Sequence, residues 1–526
     1  MGKIYTAMAQ PGSGTLTCPA AFHVSSGAPR ARVPGRPACY LIRMIKPQPI
    51  RFPFRFIFLS AAAAAIMPLS AKGTEEDVVH PAFDLSVIRP AGFEPRVSGM
   101  EFLPGGRMAI STWRPNEIWI LTGYEGPQKG VKVRKAFGAA EGFKEIMGLA
   151  AAGDTLFAAD QDRIYALTDK NGDGLPETKT AIGALPYSGS FHEWSFGLVR
   201  KQGRLYTALS VGASATGKTL VPQKEPMRGA LIAMDRDGKV ETVATGLRAP
   251  DGLCLGPDSA VFATDNQGSW LPAGKLIHVN AGRTYGHHVK PAAPFEDGYP
   301  APPAVWLPYG TVSKSPTQPV MMPAGPYAGQ IFFGDIAFGV VRRAFLEKVG
   351  GEWQGCVLRF SGGFEAGVHR MLAGPDGSLY LGGLGNGDVQ NWGWHEKLFG
   401  LQRLRPNGKS VFEILAVRSR KGGFELAFSA PPGPSALEPA RYQAKQWWYE
   451  PTDSYGGPQK DVSPVAVKSA RASADGLRIF LEMDGLRPQQ VAHVHLAEVK
   501  SKDGKGIWTP DFWYTMNAMS EEEFRP

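Results

Sequence analysis

The sequence has little cysteine and none of the motifs in which cysteine or histidine usually holds a metal or a haem. Four cysteines occur in 526 residues. No CxxCH is present, which excludes an attached c-type haem, and no CxxC pair or HExxH sequence supports zinc. Cys18 and Cys39 lie near the amino terminus, which leaves Cys254 and Cys356 for the rest of the chain. The sequence leaves open whether these two form a disulfide.

Acidic residues are absent from the first 71 positions, and this absence explains the basic character of the chain. The formal net charge is +9, from 57 Lys and Arg against 48 Asp and Glu. Removing the eight cations of this leader gives 57 − 8 = 49 against 48, or +1. No later stripe of Lys and Arg interleaved with aromatic residues is present, so nucleic acid is excluded as a partner. The eight cations are Lys3, Arg30, Arg32, Arg36, Arg43, Lys46, Arg51 and Arg55.

The apolar run of the leader is too short for a comfortable membrane span. Residues 56–67 (FIFLSAAAAAIM) follow Lys46, Arg51 and Arg55 and precede a proline and small residues up to Ala71. This order predicts a secretory signal peptide cleaved after Ala71, with an uncleaved anchor as the alternative. Met44 is a natural start for such a signal, which indicates a mis-assigned start over 1–43. We therefore expect a secreted or periplasmic protein without an integral membrane span after cleavage.

The remaining chain is rich in turn residues and short apolar segments. It contains 64 Gly and 44 Pro, with 43% hydrophobic and 20% charged residues, as in a globular protein. A turn such as PGG or GPDG followed by short strands recurs about every 40 to 60 residues, which is typical of a β-propeller. We predict an all-β protein with a linker over 72–92 and a six-bladed propeller over 93–408. A tandem of sandwiches is the alternative for the propeller.

A second pattern begins after the propeller segment. Residues 410–450 and 465–499 read as alternating strands with long turns, one of which is the proline-rich APPGPSALEP (430–439). This pattern predicts a smaller immunoglobulin- or fibronectin-like β-sandwich over 409–526.

One stretch, residues 245–288, combines strand signals with a mixture of carboxylates, amides and cations. Its pieces GLRAPDGL (246–253) and TDNQG (264–268) resemble the GLRNPQGL and TEHG-like segments of the soluble quinoprotein glucose/sorbosone dehydrogenases. KLIHVNAGRTYGHH (275–288) is similar to that family's next strand and GxNYG turn. HRMLAGPDGSLYLGG (369–383) resembles its RxxxxGPDGxLY strand, and the resemblance spans about 93–406.

The resemblance implies a six-bladed propeller that binds pyrroloquinoline quinone (PQQ) and calcium and oxidises sugar hydroxyls or aldehydes. His192 would be the general base, a role that suits a histidine of near-neutral pKa. Arg248, Arg370, Lys314 and Asp251 would bind the cofactor, with arginine forks suited to its three carboxylates. The loop Asp265, Asn266, Gln267 and Gly268 would hold the calcium, which prefers oxygen ligands.

Further polar residues are candidates for metal sites or for the cleft. Asp169, Asn171 and Asp173 alternate as in the first half of a calcium loop, with a plain Asx turn as the alternative. His287, His288 and His395 are candidates to line a cleft. His493 and His495 share one strand face, as in a metal site or as exposed side chains of a sandwich.

Three functions remain open at this point. The first is a secreted quinoprotein-like dehydrogenase of a sugar or polyol, passing electrons to an acceptor such as a cytochrome c. The second is a non-catalytic propeller that binds a glycan or protein. The third is a calcium-dependent lactonase, because one scaffold supports several chemistries.

Overall fold

The structure, a computed structural model, describes residues 78–214, 217–288, 300–385 and 397–526. The predicted leader, Met44, Cys18, Cys39 and His395 lie outside these residues. The described part belongs to one compact unit, Gly73–Pro526.

Short antiparallel strands form a β-propeller, as predicted. Five sheets have four strands each. One contains β1 (Phe83–Val87), β22 (Val368–Ala373), β23 (Leu379–Leu384) and β24 (Phe399–Pro406). The next two are β2 (Val97–Leu103), β3 (Arg107–Thr112), β4 (Ile118–Thr122) and β5 (Lys132–Phe137), then β6 (Gly148–Ala152), β7 (Thr155–Ala159), β8 (Arg163–Thr168) and β9 (Thr178–Ala184). The last two are β10 (Ser195–Lys201), β11 (Arg204–Leu209), β12 (Leu231–Met234) and β13 (Val240–Ala244), then β14 (Gly252–Leu255), β15 (Val261–Asp265), β16 (Gly274–His278) and β17 (Val305–Leu307).

The predicted number of six separate blades is wrong, because five sheets stand as separate four-stranded blades. The strands expected to form another blade are β18 (Pro316–Met321), β19 (Ile331–Asp335), β20 (Val340–Val349) and β21 (Glu352–Ser361). They belong instead to a sheet of 11 strands, since β21 also pairs with a strand from the carboxyl-terminal segment. The periodicity of the sequence marks strands and turns, whereas this pairing joins residues that are far apart in the chain.

The first strands of these units surround the propeller axis. β2, β6, β10, β14, β18 and β22 each contact the next, and β22 contacts β2. The packing is close enough to require glycine: a Cβ on Gly148 would lie 2.4 Å from the carbonyl carbon of Gly197 in the neighbouring strand. A larger residue would force the two strands apart.

The segment predicted as a linker contributes a strand. β1 pairs antiparallel with β24, from Phe83 opposite Pro406 to Val87 opposite Gln402. The amino-terminal end of the described chain therefore completes the sheet formed by β22 to β24, and residues 83–87 of the predicted linker form a strand of that sheet. β1 is the outer strand of this four-stranded sheet, so the blade joins residues from both ends of the propeller segment.

The carboxyl-terminal segment forms seven further strands of the same 11-stranded sheet. They are β25 (Ile414–Arg420), β26 (Gly423–Phe428), β27 (Tyr442–Trp448), β28 (Lys460–Ala472), β29 (Arg478–Asp484), β30 (Gln490–Leu496) and β31 (Asp511–Met516). The long β28 pairs with β27 near its start and with β29 near its end. One hydrophobic cluster includes Leu358 of β21 with Leu426, Leu481 and Phe512. The carboxyl-terminal strands thus share a core and a sheet with the propeller, and a separate sandwich stays a prediction.

Helical structure in the described residues is limited to short 3-10 turns at Gln128–Gly130, Ala139–Glu141, Pro257–Ser259, Pro434–Leu437 and Pro439–Arg441. In the described ranges, no helix has the length and apolar character needed to cross a membrane. Cys254 and Cys356 are buried free thiols, so the possible disulfide between them is not formed.

Candidate functional site

Two of the residues named by the sequence, His192 and Arg248, come together at one end of the propeller. Within each blade neighbouring strands are antiparallel, so the first strand begins at the same end where the second strand finishes. We call this end the mouth and define it by the loops 185–194, 245–251, 266–273 and 308–315. His192 lies in the first of these loops and Arg248 in the second.

His192 presents an unprotonated ring nitrogen. Its Nδ1 donates to the carbonyl oxygen of Val211 at 2.6 Å. A neutral imidazole that donates from Nδ1 has its lone pair on Nε2, and no described residue donates to that atom. Burial, and then the nearby guanidinium of Arg248, lower the pKa of His192 to about 3. The ring is therefore neutral at physiological pH, with a hydrogen-bond acceptor directed away from its backbone partner.

Arg248 is held rigidly but has one donor group left over. Its Nε donates to the hydroxyl of Thr219 at 3.1 Å and its Nη1 to the carbonyl of Gln267 at 2.9 Å. Nη2 has no acceptor in the described ranges, although Arg248 is only 8% exposed. The side chain passes against Gly268, where a Cβ would lie 2.1 Å from the Arg248 Cδ. The glycine of TDNQG therefore makes room for the arginine.

His287 completes this polar cluster from the loop after β16. Its Nδ1 donates to the carbonyl of Ser269 at 3.0 Å, and its buried Nε2 has no partner in the parts of the chain that are described. Burial is the main cause that lowers the pKa of His287 to about 4, with a further contribution from Arg248. His288 instead stacks on Trp270, with ring centroids 4.3 Å apart.

Asp265, predicted to bind calcium, serves the backbone. Its carboxylate accepts hydrogen bonds from the backbone N–H groups of Arg248, Ala249 and Asn266, at 3.0, 2.8 and 2.9 Å. Burial raises the pKa of Asp265 to about 6. The carboxylate fixes the loop that carries Arg248, and this use of its lone pairs does not fit a calcium ligand.

The same arrangement recurs in two other units, which identifies it as a structural repeat. Asp160 follows β7 and accepts from the N–H groups of Lys144 and Glu145. Asp335 ends β19 and accepts from the N–H groups of Lys314 and Ser315. The segments FAAD, FATD and FFGD (157–160, 262–265 and 332–335) already show the equivalent position in the sequence. Comparing the repeats with one another would have assigned Asp265 to structure.

Arg370 and Asp251 lie on the axis, where every nitrogen of the arginine guanidinium already donates to an acceptor within the protein. Arg370 is fully buried, and its Nη1 is 3.0 Å from Oδ1 of Asp251. Its Nε donates to Ser98, and its Nη2 to Met147, at 2.8 and 3.0 Å, both through backbone carbonyls. The guanidinium thus ties together the first strands of several units. Its role as a carboxylate clamp stays a prediction.

The axis above this pair is filled by apolar side chains. A buried cluster brings together residues from loops and strands of different units. Its members are Trp113, Met147, Phe196, Ile336 and Leu384. The guanidinium of Arg370 also faces the ring of Phe196, 5.8 Å from its centroid.

The remaining predicted ligands take part in local turns. The Asn266 amide donates to Ala249 and that of Gln267 to Pro272, both through backbone carbonyls. The carbonyl of Gly268 accepts from the N–H of Gly456 at 3.0 Å. Lys314 lies half-buried in loop 308–315, and no ion pair of its side chain occurs in the described ranges. Neither carbonyl 268 nor carbonyl 269 is open to a cation, since His287 occupies the latter.

The acidic turn between β8 and β9 lies apart from the mouth. Asp169 accepts from the N–H groups of Gly172 and Gly174, at 2.7 and 2.6 Å, and Arg134 pairs with Asp173 at 2.8 Å.

His493 and His495 both bond to Oδ1 of Asp511, at 2.7 and 3.0 Å. Over the described ranges, no group of three or more histidine, cysteine, aspartate or glutamate side chains is arranged to hold a metal ion.

Two exposed tyrosines at the mouth were not named by the sequence reasoning. Tyr455 comes from the carboxyl-terminal segment, is 63% exposed, and has its ring centroid 5.0 Å from the guanidinium carbon of Arg248. Tyr309 in loop 308–315 is 45% exposed. Burial, and then its neighbour Tyr455, raise the pKa of Tyr309. No local sequence pattern connects residues 309 and 455.

The side chains at the mouth do not form the cradle that PQQ and calcium would need. PQQ carries three carboxylates, so several free cations must converge on it. Arg370 is committed to the axis, and the carboxylate of Asp251 lies beside it. The Asp265 carboxylate and the carbonyls of residues 268 and 269 are occupied. Of the proposed set, only His192, one amino group of Arg248 and the side chain of Lys314 remain available, and these do not amount to a binding site for three carboxylates and a calcium ion.

Comparisons with known proteins give structural neighbours only. No family model and no curated protein sequence matches the chain. A protein described as a glucose dehydrogenase from Thermus thermophilus is 15% identical, with a TM-score of 0.49, over 61% of this chain and 99% of that one. The PQQ-bound aldose sugar dehydrogenase of Streptomyces coelicolor is 17% identical (TM-score 0.46), over 62% and 99%. A protein described as a gluconolactonase is 14% identical (TM-score 0.38), over 63% and 94%.

The neighbours include proteins described as sugar dehydrogenases, the class whose motifs the sequence resembles. Because this chain is less than 20% identical to each of these proteins, its function is inferred from the side chains at the mouth.

Proposed function

We propose that the mouth binds the hydroxyl groups of a sugar or polyol. The observation that carries this proposal is the pairing of an acceptor with a donor: the lone pair on Nε2 of His192 and the unused Nη2 of Arg248. A hydroxyl group is both donor and acceptor. It donates to the histidine and accepts from the arginine at the same time.

The electrostatics favour recognition over proton abstraction. A general base works best when its pKa lies near the operating pH, whereas that of His192 is lowered to about 3. The ring accepts a hydrogen bond but holds a transferred proton poorly. The non-catalytic glycan-binding propeller is therefore the function that the described residues support best.

The proposal is tested by calorimetric titration of the purified chain with a panel of mono- and oligosaccharides and polyols. At least one is expected to bind, and His192→Phe should weaken that binding at least tenfold, because it removes the acceptor and keeps a ring. The control is His278→Gln, a half-buried histidine at the opposite end of β16. No binding by any member of the panel, or equal binding by His192→Phe, would contradict the proposal.

The enzymatic alternatives are decided with the same preparation. PQQ-dependent dye reduction tests the dehydrogenase with its proposed cytochrome c acceptor, and chelator-sensitive lactone hydrolysis tests the lactonase. We expect neither, because the residues assigned to the quinone and the calcium are committed elsewhere. The predicted leader places the proposed activity outside the cytoplasm.

A further inference from the structure

A segment of the carboxyl-terminal part, residues 451–457, is bound to the mouth through backbone hydrogen bonds. The N–H of Trp270 donates to the carbonyl of Thr452 at 2.6 Å. The N–H groups of Gly456 and Gly457 donate to the carbonyls of Gly268 and Pro272, each at 3.0 Å. Gly456 has a φ of 70°, and a Cβ there would lie 2.5 Å from the Gln267 amide nitrogen. The segment is thus fitted closely to the loop that supports Arg248.

This attachment places an aromatic surface beside an unsatisfied cation. The Tyr455 ring faces the guanidinium of Arg248 at 5.0 Å, within the range of a cation–π contact. Tyr309 lies next to it, and both rings remain well exposed. Tyrosine combines an apolar ring with a polar hydroxyl and is enriched at interfaces. Two adjacent exposed tyrosines, one of them on a segment held by backbone hydrogen bonds, are therefore suited to contact a ligand.

The charges at this surface favour an anion. Within the described ranges, neither Arg248 nor Lys314 has a carboxylate at ion-pair distance. Arg248 is more than nine-tenths buried and keeps one amino group without an acceptor. A carboxylate accepts a charge-assisted hydrogen bond from such a group, which is roughly twice as strong as a neutral one. A sugar ring presents a flat C–H face to the tyrosines and its polar groups to the arginine.

We infer that Tyr309, Tyr455 and Arg248 form a subsite for a carboxylated saccharide, so that the ligand of the mouth is an acidic sugar. This inference rests on the proposed function and specifies its ligand. The tyrosines supply a rigid, amphipathic contact surface for the ring at low entropic cost. Arg248 binds the carboxylate, while His192 accepts from a hydroxyl. The carboxyl-terminal segment is then part of the binding site.

The test compares trigalacturonate, which carries three carboxylates, with neutral maltotriose, by calorimetry on the full chain. We expect trigalacturonate to bind at least tenfold more tightly at low salt. Raising the salt to about 0.5 M should reduce this preference, because salt screens the solvent-exposed carboxylates of trigalacturonate. Arg248→Gln should abolish the preference, whereas Arg236→Gln, an exposed cation in the turn between β12 and β13, should leave it intact.

The tyrosines are tested separately from the charge. Tyr455→Ala should weaken trigalacturonate binding at least fivefold, and Tyr455→Phe, which retains the ring, should change it less than twofold. The acidic subsite is overturned if trigalacturonate and maltotriose bind with equal affinity, or if Tyr455→Ala binds trigalacturonate as tightly as the wild type does. Either result overturns the subsite alone when sugars still bind and His192→Phe still weakens their binding. Absence of binding by every saccharide overturns the proposed function as well. Thermal melts of each variant confirm that it is folded.

Discussion

Oδ1 of Asp251 lies 3.0 Å from Nη1 of Arg370 on the propeller axis, and both residues are buried. His369 approaches the same oxygen at 3.2 Å. Burial lowers the pKa of Arg370, and the neighbouring Asp251 opposes that change. The pair is thus a buried charge cluster that joins strands from different units of the ring.

Asp251→Asn is expected to destabilise the fold strongly. Removing one partner of a buried ion pair leaves the other charge uncompensated and costs about 3 kcal/mol. Urea unfolding measures this loss. Asp376→Asn is the matched control, because Asp376 pairs with Arg403 at 2.7 Å but is half exposed, and exposed pairs contribute about 0–1 kcal/mol. Similar losses in the two variants would contradict a structural role specific to the axis.

Asp265→Ala, Asp160→Ala and Asp335→Ala should behave alike. Each removes a carboxylate that accepts from several backbone N–H groups, and unsatisfied buried donors cost about 1–3 kcal/mol. Melting temperatures should fall in all three variants. Adding Ca²⁺ or a chelator should change neither the wild type nor Asp265→Ala. A calcium-dependent melting temperature lost only in Asp265→Ala would restore the calcium assignment.

Stability should depend on pH through His287. Its pKa is about 4 in the folded chain, against an ordinary value near 6.5. Between these two pH values His287 binds a proton in the unfolded state but not in the folded state. The free energy of unfolding therefore has its full value above about pH 6.5 and decreases as the pH falls toward 4. The loss is about 1 kcal/mol per pH unit.

His287→Gln removes that titration. Its unfolding free energy should therefore fall less steeply between pH 6.5 and 4.5 than that of the wild type, as measured by urea denaturation at several pH values. Parallel curves would show that His287 is not buried in its neutral form.

Ligand affinity should be nearly independent of the protonation of His192 between pH 8 and 5. The lowered pKa, about 3, keeps Nε2 free to accept over this whole range. Calorimetric titration with maltotriose, which has no titrating group, isolates the effect. A tenfold loss of affinity below pH 6.5 would show that His192 has an ordinary pKa and contradict the buried geometry.

Dye-linked oxidation of sugars by the chain mixed with PQQ and Ca²⁺ should not exceed that of the mixture without protein. We expect this because Arg370 and Asp265 already form hydrogen bonds within the protein. A purified complex with quinone absorbance, reduced by sugar, would contradict this expectation. The decisive control is Arg248→Gln, which would lose the complex if the arginine binds the quinone.

Local patterns were enough to predict the class of fold. The turns and short apolar segments gave an all-β propeller, and GLRAPDGL marked the loop of Arg248. They could not reveal that β21 pairs with β31, because Leu358 and Phe512 face each other across more than a hundred residues of chain. For the same reason the local pattern predicts a linker at the residues where β1 pairs with β24.

Site residues were predictable only where their role depends on the chain nearby. His192 and Arg248, both singled out by the sequence, lie in neighbouring loops of the mouth. Arg370 and Asp265 have the residue types expected for a cofactor and a metal, and residue type does not show which acceptors or donors are already satisfied. In both cases the side chain is hydrogen-bonded to backbone groups of adjacent or distant loops.

The sequence by itself determined the strand periodicity, the turn positions and the polar loops of the mouth, because these follow from local conformational preference and alternation of side chains. Only the tertiary structure decided which polar groups remain free. Hydrogen bonding across the ring commits Arg370 and Asp251, hydrogen bonding within one unit commits Asp265, and the fold brings Tyr455 beside Arg248. Function at the mouth depends on the donors and acceptors left over after folding, and these are set by contacts between distant segments.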